Sequence, residues 1–352
     1  MKRGRVIPLD LNESYWLADE RTLALARDVT AAAFATYPDY APLQKELAEY
    51  LGVEEGSLCL APGSDEAIRT AIRFCAGKKY RALIVLPTFS GYERVLTETP
   101  LDLSVELYGE REGKFEFPFE LVMGYLRSNK IDVLFLCEPN NPLASTIGEQ
   151  YGQLLDAARD AGVLVISDEA YIEFAGQSAV GRVESQSLII FRTLSKGFGV
   201  PGIRVGCAVA SKAIADELRT IQFGTLPWPI AGPSVHAARV CLSRAAVLAE
   251  RRAEFIQQTA RFSRELAAFP DMLVYPSATN FILTRHPRAT DIVEDAAGLN
   301  VRIALAEAKT ADPRAKQLLR STMRFAIPSP EDMPFVLQAI SATLDNTATS
   351  VL

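Results

Sequence analysis

The sequence predicts an α/β protein with a mainly parallel sheet, joined to a smaller α+β part. Three observations support this: short apolar runs alternate with helical patterns between about residues 40 and 230, these runs are apolar throughout, and the pattern changes after about residue 231. Strands that are apolar on both faces are typical of parallel sheets covered by helices on each side. The 352 residues, 49% of them hydrophobic, suffice for one large and one smaller core.

The strands of the larger part are the short apolar runs. They are predicted at 57–61, 82–87, 133–139, 163–171, 187–194 and 204–210. Helical patterns lie between several of them; the first places Leu43, Leu47 and Leu51 on one face. Because ligands of such sheets bind beyond the carboxyl ends of the strands, we expect the functional residues there.

The smaller part begins with a long helical stretch after residue 231. Strands are predicted at 279–285, 301–305 and 322–327, and a final helix follows at EDMPFVLQAISATLD. We therefore expect a large domain over residues 31–235 and a small domain formed by residues 1–30 and 236–352.

Composition excludes several classes of function. The net charge of −6 without a basic block argues against nucleic-acid and membrane partners, and no apolar run is long enough to span a bilayer. The first residues lack the apolar core of a secretory signal, and five scattered cysteines fit buried free thiols, so a cytoplasmic location is expected. Only His236 and His286 are present, which argues against Ser-His-Asp hydrolysis and against a metal site.

The stretch FRTLSKGFGVPGIRVG, residues 191–206, permits two interpretations. Its GFGVPG matches a dinucleotide fingerprint, but that site requires a helix after the glycines, and Pro201 with the strand-like IRVGCAVA argues against one. Alternatively, Lys196 binds a cofactor covalently at the end of a strand, and Thr193, Ser195 and Arg204 supply donors for a phosphate beside it. Taken alone, Lys196 would more simply be a surface lysine.

Further motifs favour the second interpretation. In chain order they are ATYPDYAPLQKELAEYLGV, APGSDEAIRTAIRFC, LPTFSGY, CEPNNP, VISDEAYIEF, RTLSKGF…GIRVG, TNFIL and MRFAI. The arrangement resembles the class I/II aminotransferases that use pyridoxal phosphate, of fold type I, and is most similar to the histidinol-phosphate aminotransferase branch. The likeness covers nearly the whole chain.

The resemblance implies roles for residues that bind and activate the cofactor. Lys196 would carry pyridoxal phosphate and move the proton, and Asp168 would pair with the pyridinium nitrogen. Tyr171 and Asn141 would hydrogen-bond the phenolic oxygen. Without the resemblance, Asp168 could equally cap a helix and Asn141 could form a turn.

The remaining implied residues hold the cofactor phosphate, its ring and the substrate. Gly63, Ser64 and Asp65 open a helix whose N-terminus would bind the phosphate. Phe89 would stack on the ring, and Tyr37 would reach the phosphate of a neighbouring subunit, which implies a homodimer with shared active sites. The resemblance also assigns residues to the substrate: Arg324 would bind its α-carboxylate, with Arg302, Asn12 and Glu13 nearby.

Two departures concern the substrate. The family's NNPTG is NNPLAST here, and its NENP is NESYW, so that Tyr15 and Trp16 stand near the expected substrate entrance. We expect transfer of an amino group between an amino acid and a 2-oxo acid or phosphorylated ketone, with histidinol phosphate as the first candidate. A threonine-phosphate decarboxylase-like enzyme, or an aromatic or pathway-specific aminotransferase, are the alternatives.

Overall fold

The computed structural model describes residues 5–185 and 187–345. The strands are β1 (Ile7–Pro8), β2 (Leu58–Ala61), β3 (Arg81–Leu86), β4 (Asp102–Leu107), β5 (Gly109–Arg111), β6 (Lys114–Glu116), β7 (Val133–Cys137), β8 (Leu164–Asp168), β9 (Leu188–Thr193), β10 (Gly206–Ala210), β11 (Leu273–Val274), β12 (Phe281–Arg285), β13 (Val301–Arg302), β14 (Ala304–Leu305) and β15 (Thr322–Ala326). The helices are α1 (Glu20–Arg27), α2 (Ala32–Ala35), α3 (Ala41–Leu51), α4 (Ser64–Lys78), α5 (Ser90–Glu98), α6 (Phe119–Arg127), α7 (Gln150–Asp160), α8 (Ile172–Ala175), α9 (Lys212–Thr225), α10 (Gly232–Ser243), α11 (Ala245–Ala267), α12 (Ala289–Gly298), α13 (Pro313–Leu318) and α14 (Met333–Asp345).

The large sheet has seven strands in the order β2-β10-β9-β8-β7-β3-β4. Only β10 runs against its neighbours, so the sheet is mainly parallel, as predicted. Its inner strands are mostly apolar because helices cover both faces. In β7, Leu134 and Leu136 point to the side of α3, α6, α7 and α10. Val133 and Phe135 point to the side of α4, α5 and α9.

The second sheet is antiparallel, in the order β11-β12-β15-β14. Helices α11, α12 and α14 bury apolar side chains against it, among them Phe255, Ile292 and Val336. The N-terminal strand β1 pairs in parallel with β13, with Ile7 opposite Val301. The first residues therefore contact the C-terminal part of the chain. The division into two domains at the stated boundaries remains a prediction.

Several elements differ from the expectation. The strand predicted at 301–305 is two short strands, β13 and β14, in different sheets. The long helical stretch after residue 231 is two helices, because the chain breaks at Arg244, whose guanidinium binds Asp19 and Thr22 of the N-terminal segment. Strand β4 was not expected. Its sequence DLSVEL alternates in polarity because it lies at the edge of the sheet, where its side chains are only partly covered.

The parallel order brings chemically important residues to one edge of the large sheet. Strand β8 ends at Asp168, and β9 ends three residues before Lys196. Strand β15 of the second sheet carries Arg324 toward the same region. Among the described residues, no helix combines the length and the apolar character needed to cross a membrane.

Candidate active site

A cavity of about 330 Å³ lies at the carboxyl edge of the large sheet. Most of the residues predicted for the site line it. They are Asn12, Ser64, Asp65, Phe89, Asn141, Asp168, Tyr171, Thr193, Ser195, Lys196, Arg204 and Arg324. Gly63 adjoins this set through Arg204. Residues separated by up to 312 positions in the chain are therefore brought together here, Asn12 and Arg324 among them.

Lys196 stands in a partly buried position above the end of β9. Its Nζ donates to the backbone oxygens of Leu11, at 3.2 Å, and Asn12, at 3.0 Å. Burial lowers the pKa of Lys196 from 10.5 to about 8, and the positive charge of Arg324 acts in the same direction. A substantial fraction of the amine is therefore neutral near physiological pH, which nucleophilic attack on a carbonyl requires.

Asp168 is the last residue of β8 and is 2% exposed. Its Oδ1 accepts a hydrogen bond from the backbone N–H of Ala170 at 3.1 Å. Burial raises the pKa of this carboxyl to about 7, against the opposing effect of that hydrogen bond. Asp168 has no cationic hydrogen-bond partner among the described residues. Such a buried carboxylate is suited to bind a protonated ring nitrogen, because the ion pair would offset the cost of its burial.

The hydroxyl of Tyr171 joins three predicted residues. It accepts hydrogen bonds from Asn12 Nδ2 at 3.0 Å and from Asn141 Nδ2 at 3.2 Å. Asn141 Oδ1 accepts in turn from Arg324 Nη1 at 2.7 Å. Burial raises the pKa of Tyr171 above its ordinary value, so the hydroxyl keeps its proton. Since both amides donate to it, that proton is available to an acceptor in the cavity.

The start of α4 presents hydrogen-bond donors that are suited to an anion. Gly63 precedes the helix with φ +82°, and no side chain caps the first N–H groups. A Cβ on Gly63 would lie 2.6 Å from Arg204 Nη2, so only glycine lets the arginine approach this turn. Arg204 also bonds Asp65 at 3.0 Å and Ser195 Oγ at 3.4 Å, and Ser195 lies 3.0 Å from Thr193 Oγ1.

This donor set fits the phosphate of pyridoxal phosphate. Free helix N–H groups, a guanidinium and two hydroxyls are the groups that bind phosphate in proteins. A 3₁₀ turn over Pro201–Ile203 leads directly into β10. The α-helix that a dinucleotide site requires therefore does not follow GFGVPG, and the structure supports the covalent alternative.

Phe89 lies at the cavity wall just before α5. Its ring folds back over Gly91, where any Cβ would collide with the ring. Gly91 is thus a supporting residue that the sequence did not identify, although a glycine in the first turn of a helix is a usable signal. An aromatic face at this position can stack on a planar ring.

Besides Gly63, three predicted residues do not line this cavity: Tyr37, Arg302 and Glu13. Tyr37 is 75% exposed and stacks on Trp228, with the ring centroids 4.3 Å apart. Arg302 pairs with Asp10 at 3.3 Å, and its side chain is half exposed. Tyr15 and Trp16 also turn away from the cavity: Tyr15 bonds Asp332, and Trp16 stacks on Phe255.

Sequence reasoning missed two cations of the cavity wall, Arg94 and Lys309. Arg94 lies on α5, five residues after Phe89, and Lys309 ends a short 3₁₀ turn. Both resemble ordinary surface residues in the sequence, so only the fold reveals them. In residues 5–185 and 187–345, no group of His, Cys, Asp and Glu side chains is arranged to hold a metal ion.

Known proteins are similar to this chain both in sequence and in fold. A histidinol-phosphate aminotransferase from Gloeobacter violaceus is 34% identical over 290 residues, which are 81% of this chain and 78% of the relative. The solved histidinol-phosphate aminotransferase from Sinorhizobium meliloti in complex with pyridoxal-5'-phosphate is 21% identical, with a TM-score of 0.82 over 97% of this chain and 91% of that one. The L-threonine-O-3-phosphate decarboxylase from Porphyromonas gingivalis is 20% identical, with a TM-score of 0.79 over 97% and 100% of the two chains.

The two structural likenesses confirm the predicted fold, fold type I of the pyridoxal-phosphate-dependent transferases. The model of the family "Aminotransferase class I and II" matches residues 6–340, nearly the whole chain. The chain belongs to the class I and II aminotransferases.

Proposed function

We propose that this enzyme transfers the amino group of L-histidinol phosphate to a 2-oxo acid, in two half-reactions on one bound pyridoxal phosphate. The observation that carries the proposal is the grouping of Lys196, Asp168 and Tyr171 in one cavity, in a chain 34% identical to a histidinol-phosphate aminotransferase over 81% of its length. When bound, the cofactor supplies a carbonyl carbon that takes the amino group and a ring that accepts electrons from the substrate.

Lys196 is proposed to bind the cofactor and then to move the proton. Because burial lowers its pKa to about 8, the freed amine can accept a proton from the substrate Cα near neutral pH and return it later. The backbone oxygens of Leu11 and Asn12, 3.2 and 3.0 Å from Nζ, hold the amine in place. This assignment suits a chain with only two histidines, neither of which lines the cavity.

Asp168 and Tyr171 are proposed to control the charge of the ring. The buried Asp168 carboxylate would keep a proton on the ring nitrogen, because loss of that proton would leave the carboxylate charge buried, without a cation or water to stabilise it. Tyr171 would donate its hydroxyl proton to the ring oxygen, because Asn12 and Asn141 already occupy its acceptor positions. Gly63, Ser64, Arg204 and Ser195 would hold the phosphate.

Arg324 is proposed to bind the α-carboxylate of the amino acid formed in the second half-reaction. It is 5% exposed and forms no ion pair within the described part of the chain. Two of its donors bind Asn141 Oδ1 and the backbone oxygen of Asp10, and these contacts fix the plane of the guanidinium. Its buried Nε has no hydrogen-bond partner among the described residues and can donate to a carboxylate.

Product analysis tests the proposed reaction. The enzyme loaded with pyridoxal phosphate is incubated with L-histidinol phosphate and 2-oxoglutarate, and glutamate is measured alongside CO₂. The proposal expects stoichiometric glutamate and no CO₂. Release of CO₂ from O-phospho-L-threonine would instead support the decarboxylase alternative. Glutamate formed only from aromatic or other amino acids would mean that one of these, and not L-histidinol phosphate, is the amino donor.

We further propose a cytoplasmic homodimer in which Tyr37 completes the neighbouring site. Tyr37 and Trp228 form a stacked pair that is 75% and 47% exposed, and Phe34 nearby in sequence is 72% exposed. Exposed aromatic groups of this kind are typical of protein interfaces. Light scattering of the wild type should give twice the monomer mass, and Tyr37→Phe should weaken cofactor binding; a monomer with full activity would contradict this proposal.

A further inference from the structure

Two cations line the cavity and have no role in the proposed reaction. Arg94 lies on α5 of the large sheet, and Lys309 ends the turn Ala306–Lys309 of the C-terminal part. Neither the Arg94 guanidinium nor the Lys309 amine forms an ion pair or hydrogen bond within the described residues. The cavity lining as a whole has five basic and two acidic side chains, so the excess charge is positive. Such a wall favours an anionic ligand.

Glu93 links the two segments that carry these cations. Its Oε2 accepts from Thr310 Oγ1 at 3.0 Å and from the backbone N–H of Ala311 at 2.7 Å. Glu93 precedes Arg94 on α5, and Thr310 follows Lys309, so the carboxylate joins the two segments immediately beside both cations. Glu93 forms no ion pair with Arg94 or Lys309 among the described residues, so this contact joins their segments without neutralising either cation.

Lys309 belongs to the Arg324 side of the cavity. Burial lowers the pKa of Lys309, and the nearby positive charge of Arg324 lowers it further. Arg204, in contrast, stands beside Asp65 and Ser195 at the start of α4. The second arginine predicted for the substrate, Arg302, is already paired with Asp10. Besides Lys196 and Arg324, which have proposed roles, the cations of the cavity wall without an ion pair among the described residues are therefore Lys309 and Arg94.

We propose that Lys309 and Arg94 bind the phosphate group of the substrate. This inference rests on the proposed function to the extent that the substrate is a phosphorylated amine. A phosphate monoester carries about −1.5 to −2 charge at neutral pH and three acceptor oxygens. An ammonium and a planar guanidinium together match that charge, and the guanidinium adds a bidentate contact. Glu93 is a positioning residue of this subsite.

The test compares a phosphorylated substrate with its dephosphorylated form. In the enzyme loaded with pyridoxal phosphate, Lys309→Ala and Arg94→Ala should each lower kcat/KM for L-histidinol phosphate about 10- to 100-fold. Both should leave kcat/KM for L-histidinol within about twofold of the wild type. Lys309→Arg should recover most of the loss, because it restores the charge. Lys316→Ala, at an exposed lysine of α13 outside this cavity, is the matched control.

Other outcomes separate the two proposals. An equal loss on both substrates, or no loss on L-histidinol phosphate, overturns the subsite. If the wild type does not convert L-histidinol phosphate, the proposed function fails, and the subsite is then judged by binding of O-phospho-L-threonine and L-threonine, followed by the visible absorption of the bound cofactor. Tighter binding of the phosphorylated compound that is lost in both variants supports the subsite; equal binding, or none, overturns it.

Discussion

Replacing Lys196 with methionine should change how the stability of the cofactor-free chain depends on pH. Burial lowers the pKa of this amine from 10.5 to about 8. At about 1.4 kcal/mol for each pKa unit, the charged amine destabilises the folded chain by about 3 kcal/mol. Methionine has a similar length and no charge, so Lys196→Met removes this term while the cavity wall stays filled.

The sign of the effect follows from the protonation of the two states. Below about pH 8 the amine is charged in both the folded and the unfolded chain, and the full destabilisation is present. Between about pH 8 and 10.5 the folded chain has lost a proton that the unfolded chain still binds, so wild-type stability rises with pH. Relative to Lys196→Met, the wild type should therefore gain about 2 kcal/mol between about pH 7 and pH 9.5.

Urea unfolding followed by circular dichroism at the two pH values measures this difference. Lys45→Met, at an exposed position of α3, is the matched control and should follow the wild type at both pH values. A difference between wild type and Lys196→Met that stays constant with pH would refute the reasoning, because the amine would then titrate alike in the folded and unfolded chains.

Three further predictions concern the cofactor and substrate contacts. Asp168→Asn should lower kcat about 10²- to 10³-fold, and near-normal kcat would mean that the ring nitrogen has another partner. Because burial raises the pKa of Asp168 to about 7, the cofactor-free variant should be at least as stable as the wild type above pH 7. Gly63→Ala should weaken pyridoxal-phosphate binding in equilibrium titration, because its φ of +82° suits glycine alone and a Cβ would meet Arg204 at 2.6 Å, whereas Gly77→Ala, in open space on the same helix, should bind normally. Arg324→Lys should reduce kcat/KM for L-glutamate about 10-fold or more through the lost bidentate contact and should reduce kcat/KM for L-histidinol phosphate less, because that substrate has a phosphate ester in place of the carboxylate; equal losses in the two half-reactions would contradict the assignment.

The sequence predicted those parts of the site that depend on local pattern. Asp168 and Lys196 follow apolar runs, and the ends of neighbouring parallel strands necessarily meet at one edge of a sheet. Gly63 and Ser64 follow a strand and open an amphipathic helix, and this pattern, together with the family resemblance, predicts an anion-binding position there. Order along the chain was sufficient for these residues because each belongs to a strand end or a helix start.

Residues that depend on long-range register could not be predicted. Arg302 was expected near the substrate, but β1 pairs with β13 so that Pro8 lies opposite Arg302, and this register brings Asp10 to its guanidinium. Nothing in either segment specifies that pairing. Lys309 and Arg94 line one cavity, and their segments are joined by contacts of Glu93 with Thr310, 217 positions away. Both cations look like solvated residues in the sequence. The edge strand β4 was missed for a similar reason. Its alternating sequence forms a strand by pairing with β3, and only the fold shows that pairing.

The visible absorption spectrum of the purified protein with pyridoxal phosphate tests the central claim most directly. We predict an absorption band of lysine-bound cofactor that is absent in Lys196→Ala, although that variant still binds the cofactor non-covalently. We also predict that L-histidinol phosphate, and then separately L-glutamate, converts this band to that of the amine form of the cofactor. The same spectrum in wild type and Lys196→Ala, or a band that neither amine changes, would contradict this claim.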